Sequence, residues 1–293
     1  MSSGFDLTVL EELTSNAKQI QDDVLTEILK ANANTEYLRG FLHGSFDTDL
    51  FKNNVPVVTY EDFKPYIDRV MNGEPSDIIS GNPITRFFPS SGISSGNPKK
   101  FPGNDIFFDK VIFVSALRSL VMAKHFEGFK QGKMLNFIFT SSMYCQPLCG
   151  LVQRDEVLSV GAIFVSVLVQ AIHFLEDYWK ELSSNIRFGR VSEWITDLSC
   201  RDSGSMILGE PNPDLADLIE HKCGQQSSEG IISRLWPKTK FIEGIVTGNL
   251  AQYIPTLEFY SNKLPIVSTT YASSETYFGI NVDPLSKHVP NAY

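Results

Sequence analysis

The chain has 293 residues, of which 42% are hydrophobic and 20% charged, values typical of a globular protein with a large core. Its 25 basic and 34 acidic residues give a formal net charge of −9, which argues against non-specific binding to nucleic acid. The first twenty residues have no apolar run of signal-peptide type, and the most apolar window, residues 160–172, is shorter than the about 20 residues of a membrane-spanning helix. Four scattered cysteines without a secretory signal predict reduced thiols, hence a cytoplasmic protein without a membrane partner.

Apolar spacing predicts helices in the first seventy residues. Apolar positions recur every three or four residues over 5–31, which predicts one amphipathic helix. Residues 41–58 are expected to be irregular. Thr59 has the character of an N-cap with acidic residues in the turn after it, so a second helix is predicted from there to Gly73.

The middle of the chain alternates long apolar segments with glycine. A helix is predicted over residues 105–127, ended by Gly128. The continuous apolar run 134–140 predicts a buried strand. Residues 155–182 are apolar on nearly all sides in their middle, which predicts a long central helix.

The last third predicts a parallel unit. Asn212-Pro213-Asp214 is typical of a helix start, and Gly224 of its end. Residues 240–246 and 264–269 are predicted strands, joined by a helix over 249–260. A strand, a helix and a strand with short connections indicate a βαβ unit, so the predicted fold class is α/β with many helices.

One polar segment, Phe87–Phe101, lies outside these patterns. It holds four serines, two glycines and two lysines, with aromatic residues at both ends. Glycines let the backbone approach a ligand, and successive N–H groups and hydroxyls can converge on phosphate oxygens. A serine-glycine linker has a similar composition, but the flanking aromatic residues and the long helix that follows favour a binding loop.

A second polar segment, Thr269–Gly279, directly follows the second strand of the predicted βαβ unit. Open α/β sheets bind their ligands past the carboxyl ends of strands. Here an aromatic ring can stack on a nucleobase, hydroxyls can bond phosphates, and a carboxylate can hold Mg²⁺. Taken singly, each of these residues is also ordinary turn chemistry.

Three interpretations of the first segment compete. A Walker A loop requires G-x-x-x-x-G-K-[ST], and neither glycine has that spacing. Gly92–Gly96 matches the G-x-S-x-G nucleophile elbow of α/β hydrolases, but that elbow turns straight into a helix, which Pro98 and Pro102 prevent. The third interpretation is a loop for ATP phosphates in an adenylate-forming enzyme, paired with a later aromatic-Ser-Glu motif.

The two segments, in this order, resemble the first two motifs of the plant acyl-acid amido synthetases. The motif residues are Ser90–Lys99 and Tyr271–Glu275, and the resemblance continues through Tyr144-Cys145, Gly150–Val157 and Leu235–Pro237. This is the auxin-responsive Gretchen Hagen family of the firefly-luciferase-like adenylating superfamily, and the chain is most similar to the branch that conjugates benzoates to glutamate. The resemblance implies the N-terminal part of the large adenylating domain.

The resemblance also implies a reaction. Members are ligases that use ATP and Mg²⁺ to convert a carboxylic acid hormone of the benzoate, auxin or jasmonate type to an acyl-adenylate. The amine of an amino acid then attacks the adenylate to form an amide, a step in plant hormone homeostasis. The expected partners are therefore a small carboxylic acid and an amino acid.

Roles carry over to the residues that match the motifs. Lys99 and Glu275 are expected to be catalytic, and Glu275 is also the expected metal ligand. The acid is expected to contact Arg118, Ala272 and Ser273. The residues expected to contact ATP are Ser90, Ser91, Gly92, Ser94, Ser95, Gly96, Tyr271, Ser273, Ser274 and Thr276.

Three features depart from the family pattern. Ile93 stands where the family usually has threonine, and the segment near residues 140–144 is shorter than in relatives. The chain stops at Tyr293, before the family's third motif and its lid domain, so residues 1–293 are expected to be an incomplete adenylating domain. A second function class is therefore open, a catalytically impaired isoform or pseudoenzyme that retains at most nucleotide binding.

Overall fold

The computed structural model describes residues 7–90, 98–138, 143–273 and 275–286. The chain divides into two compact units. The first unit comprises residues 1–120 and 272–277, and the second comprises residues 121–271 and 278–293. No helix among the described residues is long and apolar enough to cross a membrane.

The first unit begins with short helices, followed by a hairpin and a long helix. In chain order the elements are α1 (Leu7–Ser15), α2 (Ala17–Asn32), α3 (Glu36–Leu42), α4 (Thr48–Asn54), α5 (Tyr60–Met71), β1 (Arg86–Pro89), β2 (Lys100–Gly103) and α6 (Asp105–His125). The helices predicted from Thr59 and over 105–127 are confirmed, and Gly128 adopts the left-handed conformation (φ 76°) after α6.

Two predictions for this part of the chain are wrong. The single helix expected over 5–31 is two helices that meet at Asn16. The segment expected to be irregular, residues 41–58, contains the last two residues of α3 and all of α4. Both are only seven residues long, too short for a clear apolar period, and each depends on a side-chain N-cap: Thr35 accepts the Leu38 N–H, and Asp47 accepts the Leu50 N–H.

The second unit contains a parallel sheet and its surrounding helices. The elements are β3 (Lys133–Phe137), α7 (Cys145–Val152), β4 (Val157–Phe164), α8 (Val165–Phe188), α9 (Leu198–Leu208), α10 (Pro213–Cys223), α11 (Ile231–Leu235), β5 (Phe241–Ile245), α12 (Ile254–Ser261) and β6 (Ile266–Val267). The strand order is β3-β4-β5-β6, with every neighbouring pair parallel. A final hairpin of β7 (Thr270–Ala272) and β8 (Tyr277–Ile280) follows.

The predicted βαβ unit is confirmed. Its strands are β5 and β6, and the helical connection is a 3-10 helix over Gly248–Tyr253 followed by α12. The helix predicted after Asn212 is α10, whose first turn is capped because the Asn212 side chain accepts the Leu215 N–H. The fold class is therefore α/β, as the sequence predicted.

The helix predicted over 155–182 is wrong in its first part. Val157–Phe164 is the strand β4, and helix α8 begins only at Val165. Six of the eight β4 residues are buried, so the strand is apolar on both faces and has no period that separates it from a buried helix. The close pairing of β4 with β5 requires glycine at position 161. A Cβ there would lie 2.3 Å from the Glu243 carbonyl oxygen on β5.

The core of the second unit lies on both sides of α8. Leu168, Ile172 and Leu175 of this helix are at most 1% exposed and belong to one apolar cluster with Leu148 of α7 and with Trp236. The Trp236 indole N–H donates to the Gly150 carbonyl oxygen at 2.8 Å, which satisfies its polar atom inside the cluster. The parallel sheet is thus backed by a dense core.

Candidate functional site

The first polar segment comprises the end of β1, the start of β2 and the loop that connects them. Pro89 pairs with Lys100, so both ends of the loop belong to one antiparallel hairpin. The Ser90 N–H donates to the Lys99 carbonyl oxygen at 2.8 Å, and the Lys99 N–H donates to Ser90 Oγ at 2.9 Å. These two bonds close the base of the loop and hold Ser90 beside Lys99.

The tip of this loop lies outside the described residues. It contains Ser91, Gly92, Ser94, Ser95 and Gly96, whose expected contacts with ATP remain predictions.

Tyr60, the first residue of α5, supports the base of the loop. Its hydroxyl accepts a hydrogen bond from the Lys100 N–H at 2.8 Å, and Lys99 Nζ lies 5.3 Å from the centroid of its ring. This distance is within the range of a cation–π interaction. The ring also contacts Phe101, with centroids 6.0 Å apart. Tyr60 was not identified from the sequence, where only the neighbouring N-cap at Thr59 is recognisable.

The start of α5 is itself fixed by a capping box. Asp62 accepts hydrogen bonds from the Thr59 hydroxyl at 2.6 Å and from the Thr59 N–H at 2.8 Å. Both bonds lower the pKa of the Asp62 carboxyl, and the bond from the Thr59 hydroxyl has the larger effect. Because Tyr60 follows the cap directly, the capping box also sets the position of the Tyr60 side chain.

Aromatic packing holds the strands on either side of the loop. Phe88 contacts Phe107 and Phe108 at the start of α6, each with a centroid distance of 5.7 Å. The Arg86 guanidinium lies 4.4 Å from the centroid of the Phe108 ring. Gly103 is required here, since a Cβ would lie 2.4 Å from the Phe88 ring. The loop therefore begins and ends on an anchored hairpin.

The second polar segment forms the turn of the last hairpin. The Ser273 N–H donates to the Thr276 carbonyl oxygen at 2.9 Å, and the Glu275 N–H donates to Ser273 Oγ at 3.2 Å. The side chains of Glu275 and Thr276 are exposed. Ser274 lies outside the described residues. The turn thus brings Ser273, Glu275 and Thr276 together and presents the Glu275 carboxylate to solvent.

Buried polar contacts fix the two ends of this hairpin at the carboxyl end of β6. Thr269 Oγ1 donates to Glu243 Oε1 at 2.7 Å. The Asn281 N–H donates to the Thr269 carbonyl oxygen at 2.9 Å, and Asn281 Nδ2 donates to the Ser268 carbonyl oxygen, also at 2.9 Å. All four residues are at most 8% exposed. This is the edge at which parallel sheets place ligands.

The remaining expected site residues occupy separate positions. Tyr271 is 53% exposed and its ring lies 4.9 Å from that of Phe278, so one aromatic surface is accessible for stacking. Ala272 is half-buried in β7, and Arg118 is half-buried in α6. Glu243 and Asn281, which support the hairpin, were not among the expected residues. A glutamate inside the apolar run of β5 was the one available sequence signal.

The acidic residues fit a metal that arrives with a nucleotide. In the described ranges, no group of three or more His, Cys, Asp or Glu residues is placed to hold a metal ion by itself. Mg²⁺ commonly keeps several waters and binds through one or two carboxylates together with substrate phosphates. A single exposed Glu275 matches that requirement.

Comparison with known proteins matches the chain to the family model described as the GH3 family N-terminal domain, over residues 6–142 and 139–266. The chain is 48% identical to the 4-substituted benzoates-glutamate ligase GH3.12 of Arabidopsis thaliana, over 95% of this chain and 57% of that protein. It is 46% identical to the indole-3-acetic acid-amido synthetase GH3.15 of the same plant, over 96% of this chain and 55% of that protein.

Solved structures show the same relationship. The GH3.15 acyl acid amido synthetase of Arabidopsis thaliana in complex with 2,4-DB superposes with a TM-score of 0.88 at 46% identity, covering 98% of this chain and 59% of that chain. The chain thus spans a little more than half the length of the relatives that it matches.

The alignment with the benzoates-glutamate ligase runs over 327 positions, more than the 293 residues present here, so the ligase has residues without a counterpart in this chain. The predicted place of the shortening, near residues 140–144, stays a prediction. The family model covers most of the chain. The chain therefore belongs to the GH3 family.

Proposed function

We propose that this chain supplies the nucleotide- and acid-binding part of an acyl-acid amido synthetase. The supporting observation is that both family motifs lie in turns closed by their own hydrogen bonds, each on an anchored hairpin. These bonds hold Ser90 beside Lys99, and Ser273 beside Thr276, before a ligand arrives, which reduces the ordering cost of binding at these residues.

The phosphate-binding role falls to the first turn. The Lys99 ammonium group supplies positive charge to the ATP phosphates, and the glycines and serines at the loop tip offer N–H and hydroxyl donors. Tyr271 stacks on the adenine, while Ser273, Ser274 and Thr276 hold the nucleotide through their hydroxyls. Mg²⁺, held on the protein by Glu275, neutralises phosphate charge when bound.

The acid-binding role falls to Arg118, Ala272 and Ser273. A guanidinium can hold a carboxylate through two parallel hydrogen bonds, which orients one oxygen for attack on the α-phosphorus. A bond forms between this oxygen and the phosphorus, and the bond to the β-phosphate bridge breaks to release pyrophosphate. An amino-acid amine then attacks the acyl carbon and AMP leaves.

The acid is proposed to be a substituted benzoate, with glutamate as the acceptor. This choice follows from the 48% identity to a benzoates-glutamate ligase. Indole-3-acetate is the alternative, since the identity to the indole-3-acetic acid-amido synthetase is 46%.

A second candidate is a catalytically impaired form that binds nucleotide without forming the amide. The observation that favours it is the coverage, because the chain spans 57% of the benzoates-glutamate ligase and 55% of the indole-3-acetic acid-amido synthetase.

The test measures ATP binding by calorimetry and acid-dependent ATP–pyrophosphate exchange with Mg²⁺, using 4-substituted benzoates, indole-3-acetate and jasmonate. Circular dichroism establishes that each preparation is folded. Exchange with one acid supports adenylation and identifies the acid, whereas ATP binding without exchange supports the impaired form. A folded chain that neither binds ATP nor catalyses exchange contradicts both candidates.

Lys99→Ala and Lys100→Ala form a matched pair for this test. Lys99→Ala removes the proposed phosphate contact and is expected to weaken ATP binding at least about tenfold, the value of one charge-assisted hydrogen bond. Lys100→Ala removes an adjacent positive charge but keeps the backbone N–H that donates a hydrogen bond to the Tyr60 hydroxyl. The affinity for ATP should therefore stay within about threefold of the wild-type affinity. Equal losses in both variants would indicate a general effect of charge and would contradict the assignment of Lys99.

A further inference from the structure

Two of the four cysteines lie side by side in the second unit. Cys145 is the first residue of α7, and Cys200 lies in the first turn of α9. Their Sγ atoms are 3.2 Å apart, and Cys145 Sγ lies 3.3 Å from the Cys200 carbonyl oxygen. Both are free thiols. The two sulfur atoms are thus in contact although the residues are far apart in sequence.

The packing of ordered helices produces this contact. The Cys200 N–H donates to the side chain of the N-cap Asp197 at 2.7 Å, which fixes the first turn of α9. On the other side, the Tyr144 hydroxyl donates to Asn185 Oδ1 at 2.5 Å, which fixes the residue before Cys145. Gly204 of α9 is buried, and a Cβ there would lie 2.9 Å from the Val191 side chain and 3.5 Å from the Tyr144 ring. The sulfur atoms, 3.2 Å apart, must approach by only about 1.2 Å to reach the length of an S–S bond.

We propose that Cys145 and Cys200 are a thiol modification site that closes to a reversible disulfide when the protein meets hydrogen peroxide. Cys145 is the first thiol to react because it is half-buried, whereas Cys200 is 6% exposed. The Cys145 thiolate attacks one oxygen of the peroxide, the O–O bond breaks, and a sulfenic acid forms while the hydroxide that leaves takes up the proton lost by the thiol to become water. The Cys200 thiolate then attacks this sulfur, the S–S bond forms, and the hydroxyl leaves as water after taking up a proton. Two thiols are oxidised and one peroxide is reduced to two waters.

The surroundings of Cys145 set the conditions for this oxidation. Burial, reinforced by hydrogen bonding to Cys200, raises the pKa of Cys145 to about 12. Little thiolate is therefore present at neutral pH, and thiolate is the species that attacks peroxide. The disulfide should form slowly, over a sustained exposure, and the reduced form should be the resting state of the site.

The modification would act near the carboxyl edge of the sheet. Gln146 follows Cys145, and its side-chain amide donates to the Ile138 carbonyl oxygen at 2.8 Å and accepts the Ile138 N–H at 2.7 Å. Ile138 directly follows β3. A covalent bond between Cys145 and α9 thus restrains the helix that also holds the end of this strand.

The experiment exposes the full chain to hydrogen peroxide, denatures it, and counts free thiols with Ellman's reagent. Non-reducing peptide mapping by mass spectrometry identifies the linked residues. The wild type should fall from four free thiols to two, with one Cys145–Cys200 cross-link that dithiothreitol reverses. Cys149→Ser is the matched control on the same helix, and it should fall from three thiols to one.

Cys145→Ser should keep three thiols under the same conditions. Cys200→Ser retains the thiol that reacts first, so it should lose at most that one thiol and show no cross-link to Cys145. The proposal is overturned if the folded wild type keeps four thiols at a peroxide dose that fully oxidises free glutathione. It is equally overturned if mapping finds Cys145 or Cys200 linked to another cysteine. Both outcomes are read from the wild type, so they do not depend on a variant that folds.

Discussion

At the scale of single residues, Tyr60 combines two contacts that act on one loop. Its hydroxyl accepts the Lys100 N–H, and its ring lies beneath the Lys99 ammonium group. The first contact orients the backbone at the base of the loop, and the second restrains the lysine that is proposed to meet ATP. If the proposed nucleotide binding is correct, Tyr60 is a positioning residue for it.

Two substitutions separate these contacts. Tyr60→Phe removes only the hydrogen-bond acceptor, and it should weaken ATP binding by about fivefold, the value of one neutral hydrogen bond. Tyr60→Leu also removes the aromatic ring, so its loss should be larger, about tenfold or more. Calorimetric titration with ATP measures both.

Tyr66→Phe is the control for these variants. Tyr66 lies on the same helix but contacts Tyr37 and Phe63, with ring centroids 5.1 and 5.9 Å away. Its variant should bind ATP as the wild type does. Unchanged affinity in a folded Tyr60→Leu protein would show that Tyr60 has no positioning role.

The candidate site residues are easier to propose from the sequence than the side chains that support them. Lys99 and Ser90 were identified because serine, glycine and lysine are concentrated in one short segment. Arg118 was identified only through the family resemblance, since an arginine on a long helix has no distinctive pattern. Tyr60 and Asn281 could not be found, because their roles depend on partners 40 and 13 residues away that only the folded chain brings near.

At the scale of elements, the predictions failed where periodicity carries no information. The strand β4 was assigned to a helix because a strand buried on both faces reads as a continuous apolar run. The βαβ unit of β5 and β6 was found because turn residues bound each of its elements. Hairpins β1–β2 and β7–β8 were treated as loops, since their short strands have too few residues to show alternation.

The capping box of α5 gives a pH-dependent prediction at this scale. Hydrogen bonds from Thr59 lower the pKa of Asp62 in the folded state, whereas the unfolded chain has the ordinary value of about 3.9. The stabilisation is therefore fully present above the unfolded pKa and is lost as pH falls through the lowered folded pKa. Asp62→Ala should lower the melting temperature at pH 6–7, and the difference from the wild type should shrink below about pH 4.

Thermal unfolding followed by circular dichroism between pH 3 and 7 measures this difference. Glu61→Ala removes a carboxylate from the same turn but leaves both capping bonds, so its effect should be smaller at neutral pH. The melting temperatures of the wild type and of Asp62→Ala could also differ by the same amount at every pH down to 3. That result would mean that the charged capping box does not contribute to stability.

At the scale of the whole molecule, the family match concerns the N-terminal domain of a GH3 protein. The chain covers 57% of the benzoates-glutamate ligase and 59% of the solved GH3.15 chain. In the proposed function the motif turns bind nucleotide and acid, but amide formation also needs the acceptor amine aligned with the acyl carbon. Misalignment of reacting groups by about 1 Å can cost about a hundredfold in rate.

We therefore predict that a polypeptide of these 293 residues binds ATP but forms little or no amide. Fusing it to the part of the benzoates-glutamate ligase that follows the aligned region should restore conjugation, because the fusion supplies a part that this chain does not match, from a relative that is 48% identical over the aligned part. Mass spectrometry of the acyl-amino acid product, with 4-substituted benzoates and glutamate, measures it. The same fusion with Lys99→Ala should again lose activity, which ties the product to this chain's first motif. If the 293-residue polypeptide forms the amide as fast as the fusion, the impaired form is excluded and the described units suffice for the whole reaction.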